Sequence, residues 1–206
     1  NKSVLKLKTQ VGFMGPNAFG QETQEFFHST FGYKKVSGWE YQIHNAILAQ
    51  VEFFYAKKIA TLNKKNTIDV LAQTELKLGT VWNEITVGPV LRLGFKKLLP
   101  VSESNVYDAS LRYDRNYRET SEFYFYVSPK VNYQAYDATI QGNLFQDNSP
   151  VIFPLIPFRF QGEAGFKYRK NNWNFHYTFN YTSQEVDNIV NEGYYYGSIG
   201  IGYLLN

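Results

Sequence analysis

The sequence predicts an all-β protein, an antiparallel transmembrane β-barrel, and three observations predict it. Successive segments alternate apolar and polar side chains over about 9–11 residues, the length a tilted strand needs to cross a bilayer. The 206 residues include 17 Tyr and 17 Phe, yet mean hydropathy is -0.38, as expected when alternate residues face lipid and the rest face a polar interior. No apolar run approaches the roughly 20 residues of a membrane-spanning helix.

About eight strands are visible. Leu5, Leu7, Thr9, Val11 and Phe13 form one face of the first. Ile47, Ala49, Val51, Phe53 and Tyr55 do so in the second, opposite Gln50 and Glu52. The third sets Ile68, Val70, Ala72, Thr74, Leu76 and Leu78 against Asp69, Gln73, Glu75 and Lys77, and the fourth carries Ile85, Val87, Leu91, Leu93 and Phe95. In the fifth, Phe123, Phe125, Val127 and Val131 alternate with Ser128, Lys130 and Asn132; the phase then slips near Ala135, which predicts a bulge with Tyr136, Ala138 and Ile140 continuing the apolar face. Phe158, Phe160, Ala164, Phe166 and Tyr168 oppose Arg159, Gln161, Glu163 and Lys167 in the sixth, and Trp173, Phe175, Tyr177, Phe179 and Tyr181 oppose Asn174, His176, Thr178 and Asn180 in the seventh. Residues 194–205 form the last. Phe53, Phe125, Phe160 and Phe179 are expected to face lipid.

A soluble β-sandwich also alternates, but it would set these mid-strand Lys, Glu, Arg and Gln side chains in a dry core at a cost a polar lumen avoids. Residues 1–206 therefore read as one barrel domain. Without Cys there is no disulfide framework, thiol nucleophile or Cys-based zinc site, and a net charge of +3 is too weak to argue for nucleic acid. Lys2 and Lys6 flank only a short apolar stretch, so no signal peptide is visible and the chain is either mature or begins inside a longer protein.

Connection lengths orient the barrel, since outer-membrane barrels place short turns in the periplasm and long loops outside. The turn Lys170-Asn171-Asn172 is periplasmic on this count, while 183–193, 141–157 and 15–45 are external. The segment 96–120 is long yet falls on the periplasmic side, where residues 112–118 are expected to extend the neighbouring strands.

The loop 20–31 is predicted to be helical, which places Gln24 and His28 one turn apart on one face while Phe26, Phe27 and Phe31 pack elsewhere. Histidine suits proton transfer near neutral pH, so His28 at a membrane rim is a candidate general base for ester hydrolysis. On these residues alone a solitary loop histidine is more often a surface or hydrogen-bonded structural residue than a catalyst. His44 has no acidic partner in its motif, His176 faces the lumen, and neither a G-x-S-x-G elbow nor an H-E-x-x-H pair is present.

The run Gly12-Phe13-Met14-Gly15-Pro16, followed by Gly20, Gln24, His28, Gly38-Trp39 and Gln42, resembles the central signature of the outer-membrane lipid A 3-O-deacylase family, the LpxR type. Gly142-Asn143-x-Phe145, the Gly162–Tyr168 and Trp173 strands and Gly197-Ser198-Ile199 resemble its C-terminal third. The resemblance implies a bacterial outer-membrane location, a twelve-stranded barrel entered here about four strands in, and removal of the 3′-acyloxyacyl group of lipid A within lipopolysaccharide. It implies that His28 is catalytic, with Gln24 beside it. It also implies a divalent cation, usually calcium, whose ligands it places mostly outside this sequence. The alternative is a catalytically silent barrel, acting as a structural member of an outer-membrane complex or as a small passive pore.

Overall fold

The computed structural model describes residues 3–107, 121–145, 149–187 and 192–204. Eight strands, β1 Ser3–Met14, β2 Ala46–Thr61, β3 Ile68–Gly79, β4 Trp82–Gly94, β5 Ser121–Asp137, β6 Phe158–Lys170, β7 Trp173–Ser183 and β8 Gly193–Tyr203, form one sheet. Each pairs antiparallel with its sequence neighbours, in the order β1 to β8, the arrangement of an up-and-down barrel wall. Helix α1, Gly20–Phe31, lies in the β1–β2 connection, and a helical turn α2, Ala138–Gln141, comes directly after β5. No helix among the described residues is long and apolar enough to cross a membrane.

Register aligns the alternating faces from strand to strand, because a shift of one residue would turn every apolar side chain inward. On the outer face Leu7 lies opposite Phe53 and Phe53 opposite Leu76; further along, Val87 lies opposite Val131 and Val131 opposite Phe160. Phe53, Phe160 and Phe179 are exposed on this face, and half-buried Phe125 packs its ring against Phe166 at 5.1 Å. On the inner face the same register builds a charge ladder, with Lys8 opposite Glu52, Glu52 opposite Lys77 and Lys77 opposite Glu84. Lys8 and Glu52 pair at 3.3 Å and Lys77 and Glu84 at 2.7 Å. The mid-strand charges are thus matched across strands rather than left in an apolar core.

The bulge expected near Ala135 is present: Asn83 pairs with Tyr136 and Glu84 with Gln134, leaving Ala135 as the extra residue. Beyond Asp137 the chain departs from the expected strand. Asp137 accepts a hydrogen bond from the Thr139 backbone N–H at 2.9 Å, an N-cap that turns Ala138–Gln141 into α2 and buries Ala138. Phe95 likewise leaves β4, though its ring still stacks on Phe123 at 4.6 Å. The β6–β7 turn is tight, with Lys170 opposite Trp173 and Asn171 at φ 55°, a conformation Asn tolerates better than most residues.

The long connection after β4 is the main departure from the sequence reading. Its described part, residues 96–107, folds onto the concave face at the end assigned to the periplasm; residues 112–118 lie outside the described residues. Leu98, Val101 and Val106 are buried against Val4, Leu71, Val90, Tyr124 and Tyr126. A fully buried Arg92 fastens the segment. Its guanidinium donates to both carboxylate oxygens of Asp69, at 2.8 and 2.7 Å, to Ser104 at 2.8 Å and to the Leu99 carbonyl at 3.3 Å. Glu122 accepts from the Leu99 N–H at 2.8 Å and from the Ser104 hydroxyl at 2.6 Å, and Lys58 reaches Asp69 at 2.9 Å. Above this plug a cavity of about 210 Å³ is lined by Lys6, Glu75, Tyr107, Lys130, Glu163 and Lys167 among others.

Candidate functional site

The β1–β2 loop carrying α1 is fixed at its base by backbone contacts that require glycine. Gly15 has φ +82°, and a Cβ there would sit 2.6 Å from the Ile43 carbonyl oxygen. Asn45 extends its amide oxygen to the Asn17 N–H at 2.7 Å, holding the short turn Pro16–Ala18 against the start of β2. Gly20 abuts the Trp39 ring, 3.2 Å from where its Cβ would lie, so the two glycine-bearing parts of the motif meet in space. Gln42 and Ile43 line a groove of about 480 Å³ with Thr139, Ile140 and Phe153, joining the β1–β2 connection to the segment after β5. Gly15→Ala is expected to cost about 1–2 kcal/mol from the left-handed backbone alone, with more from the clash. It should raise protease cleavage within 16–44 relative to the barrel wall, and an unchanged cleavage pattern would show that the close approach does not hold the loop.

Helix α1 spans the predicted residues and ends at Gly32, whose φ of +71° suits glycine at the position after a helix. The Tyr33 N–H donates to the His28 carbonyl at 2.8 Å, turning the chain back along the last turn. This reversal places the Lys34 carbonyl 2.7 Å from His28 Nδ1. A carbonyl only accepts, so Nδ1 carries the proton and the lone pair of neutral His28 resides on Nε2. The Tyr33 ring stands edge-on to the imidazole at 5.6 Å.

Gln24 and His28 are both half-buried and share a face with Gln21 and Glu25. Gln21 donates to Glu25 at 3.0 Å, and Lys35 pairs with Glu25 at 3.3 Å; these two contacts hold the Glu25 carboxyl below its usual range. No hydrogen bond joins Gln24 to His28 among the described residues. His176 is remote from this loop, on the inner face of β7, where its ring fills the space over Gly200. The sequence reading missed the role of the Lys34 backbone, for which Gly32 was the available signal: a glycine just past the helix marks a chain reversal.

Calcium takes about 6–8 oxygen ligands. Among the described residues no group of three or more His, Asp or Glu is disposed to hold a metal, and Glu25 is already engaged. The described surroundings of His28 do not fit a calcium shell.

An eight-stranded antiparallel wall with an apolar outer face, a charged inner face and a histidine-bearing loop at one rim defines an outer-membrane β-barrel protein. The chain belongs to the family of the outer membrane protein LpxR, whose model matches residues 1–205. Its fold is similar to that of LpxR from Salmonella typhimurium, with a TM-score of 0.76 and 17% identity over 99% of this chain and 68% of that one. No curated protein matches the chain in sequence.

Proposed function

We propose that the protein is a lipid A 3-O-deacylase, a carboxylic ester hydrolase acting on lipopolysaccharide in the outer leaflet. The observation that carries this reading is the 2.7 Å contact between His28 Nδ1 and the Lys34 carbonyl, which leaves Nε2 as the basic nitrogen on a loop at the membrane rim. In the reaction Nε2 takes a proton from a water that adds to the carbonyl carbon of the 3′ ester. The tetrahedral intermediate then expels the sugar 3′ oxygen, which receives the proton from the imidazolium, and the acyloxyacyl group leaves as a carboxylic acid. The Gln24 amide, one turn away, donates to the oxyanion. Family membership and the match of the motif residues support the substrate assignment. Calcium enters the proposal from the family resemblance alone, and no step is derived through it.

The silent-barrel reading is favoured by one observation, the lack of a carboxylate hydrogen-bonded to His28 among the described residues. Its passive-pore form fits poorly with the plug at 96–107. Expression of the full-length protein in a host that keeps lipid A fully acylated decides between enzyme and silent barrel. Mass spectrometry is expected to show loss of the 3′-acyloxyacyl group, and an unaltered lipid A spectrum would overturn the enzyme reading.

A further inference from the structure

The amphipathic character of α1 is inverted relative to a helix on a water-soluble protein. Its half-buried positions are all polar, Gln21, Gln24, Glu25 and His28, and recur at helical spacing, while Glu22, Thr23, Ser29 and Thr30 are exposed. All three of its aromatic residues are exposed, Phe26 at 65%, Phe27 at 52% and Phe31 at 65%, and the helix contains no buried residue. Phe19 and Tyr33, at 65% and 67%, extend the same surface beyond both helix ends. The rings pack on one another rather than on the barrel: Phe26 meets Phe27 edge-on at 5.6 Å, Phe27 stacks on Phe31 at 6.4 Å, and Phe31 lies 6.4 Å from Tyr33. In water this would leave five large rings unshielded on one short loop. The loop springs from the outward-facing pair Phe13 and Ile47, both exposed on the outer face of β1 and β2, so the chain enters it directly from the lipid-side surface of the wall.

We infer that α1 is an interfacial membrane anchor, its Phe26, Phe27, Phe31 face seated among the outer-leaflet acyl chains. A helix of this kind sinks its apolar face about 5–10 Å below the headgroup boundary. Exposed Lys34 follows Tyr33 in the chain, and a long lysine stem lets its ammonium reach the anionic headgroups while the rings stay in the apolar layer. The polar face, with Gln24 and His28, is thereby held at the depth where acyl chains join their polar carriers. The anchor depends on the barrel's place in the membrane and not on hydrolysis.

The chain has no cysteine, so Phe27→Cys, Phe31→Cys and Ser37→Cys each give a single site for a spin label. The full-length variants are folded into vesicles of lipopolysaccharide and phosphatidylethanolamine, and label collisions with oxygen and with a water-soluble nickel chelate are compared. At 27 and 31 the oxygen effect is expected to exceed the nickel effect severalfold, with the reverse at exposed Ser37. Nickel accessibility at 27 and 31 equal to that at 37 would place the face in water and overturn the inference. Labels at 27 and 31 shielded from both reagents would mean that protein covers the face, which also overturns it. The same measurement on a His28→Ala background separates the two proposals: lipid-embedded labels on a protein with no deacylation in either background would uphold the anchor while the enzyme reading fails.

Discussion

His28→Ala in the full-length protein is expected to leave the barrel folded and present in normal amounts while lipid A keeps its 3′-acyloxyacyl group. Removing a positioned general base typically costs about 10²–10⁴-fold in rate, and a loss of that size is read as retained 3′-acyl chains in mass spectra of whole-cell lipid A. Stability should change little, because the imidazole is half-buried on a rim loop and its hydrogen bond is to one backbone carbonyl. His28→Gln sharpens the test: its amide can still donate to the Lys34 carbonyl but offers no basic nitrogen, so it should be as inactive as alanine. Deacylation within tenfold of the wild type in either variant would remove His28 from the reaction.

The largest effect on stability is expected at Arg92. Replacing it with alanine leaves Asp69 and Glu122, both buried, without the guanidinium that satisfies them, and breaking a buried pair in this way costs about 3–5 kcal/mol. Lys58 remains on Asp69 and offsets part of the loss. The plug should also come loose, since Arg92 binds it through Ser104 and Leu99. Two readings check this: the denaturant midpoint of the refolded barrel, and protease cleavage within 96–107. An unchanged midpoint together with an uncleaved plug would show that apolar packing of Leu98, Val101 and Val106 suffices to hold the segment.

The barrel wall was legible in the sequence because a strand writes its environment locally: every second residue faces lipid, and Leu7, Phe53 and Val87 declare it without reference to any partner. The Ala135 bulge was legible for the same reason, as a break in that alternation. Residues 98–106 carry no such period. Leu98, Val101 and Val106 find their neighbours on β1, β3, β4 and β5, so their burial depends on the curvature of a sheet that sequence spacing does not encode. Asp69, Arg92 and Glu122 were visible as inward polar residues, but their convergence on one loop is a product of register and of that loop's path.

At the rim, the helix limits and the shared face of Gln24 and His28 came from spacing, whereas the tautomer of His28 did not. It is set by a backbone carbonyl beyond Gly32, and side-chain identity at Lys34 has no part in it. The aromatic residues of α1 posed the opposite problem. Phe26, Phe27 and Phe31 were recognised as a group, but a helix read on its own gives no sign of whether its apolar side meets protein or lipid.

The plug has a consequence for how the molecule assembles. Every strand pairs with its neighbour in sequence, so the wall can zip up hairpin by hairpin from short-range contacts, a route with little loop-closure entropy at each step. Residues 96–107 obey a different schedule. They touch β1 through Lys6 on Tyr107, β3 and β4 through the Arg92 network, and β6 through Lys167 and Arg169, so their seat exists only once strands on both sides are in place. The seat of the plug is therefore shared among strands on both sides of the lumen, and no single hairpin of the wall could hold it.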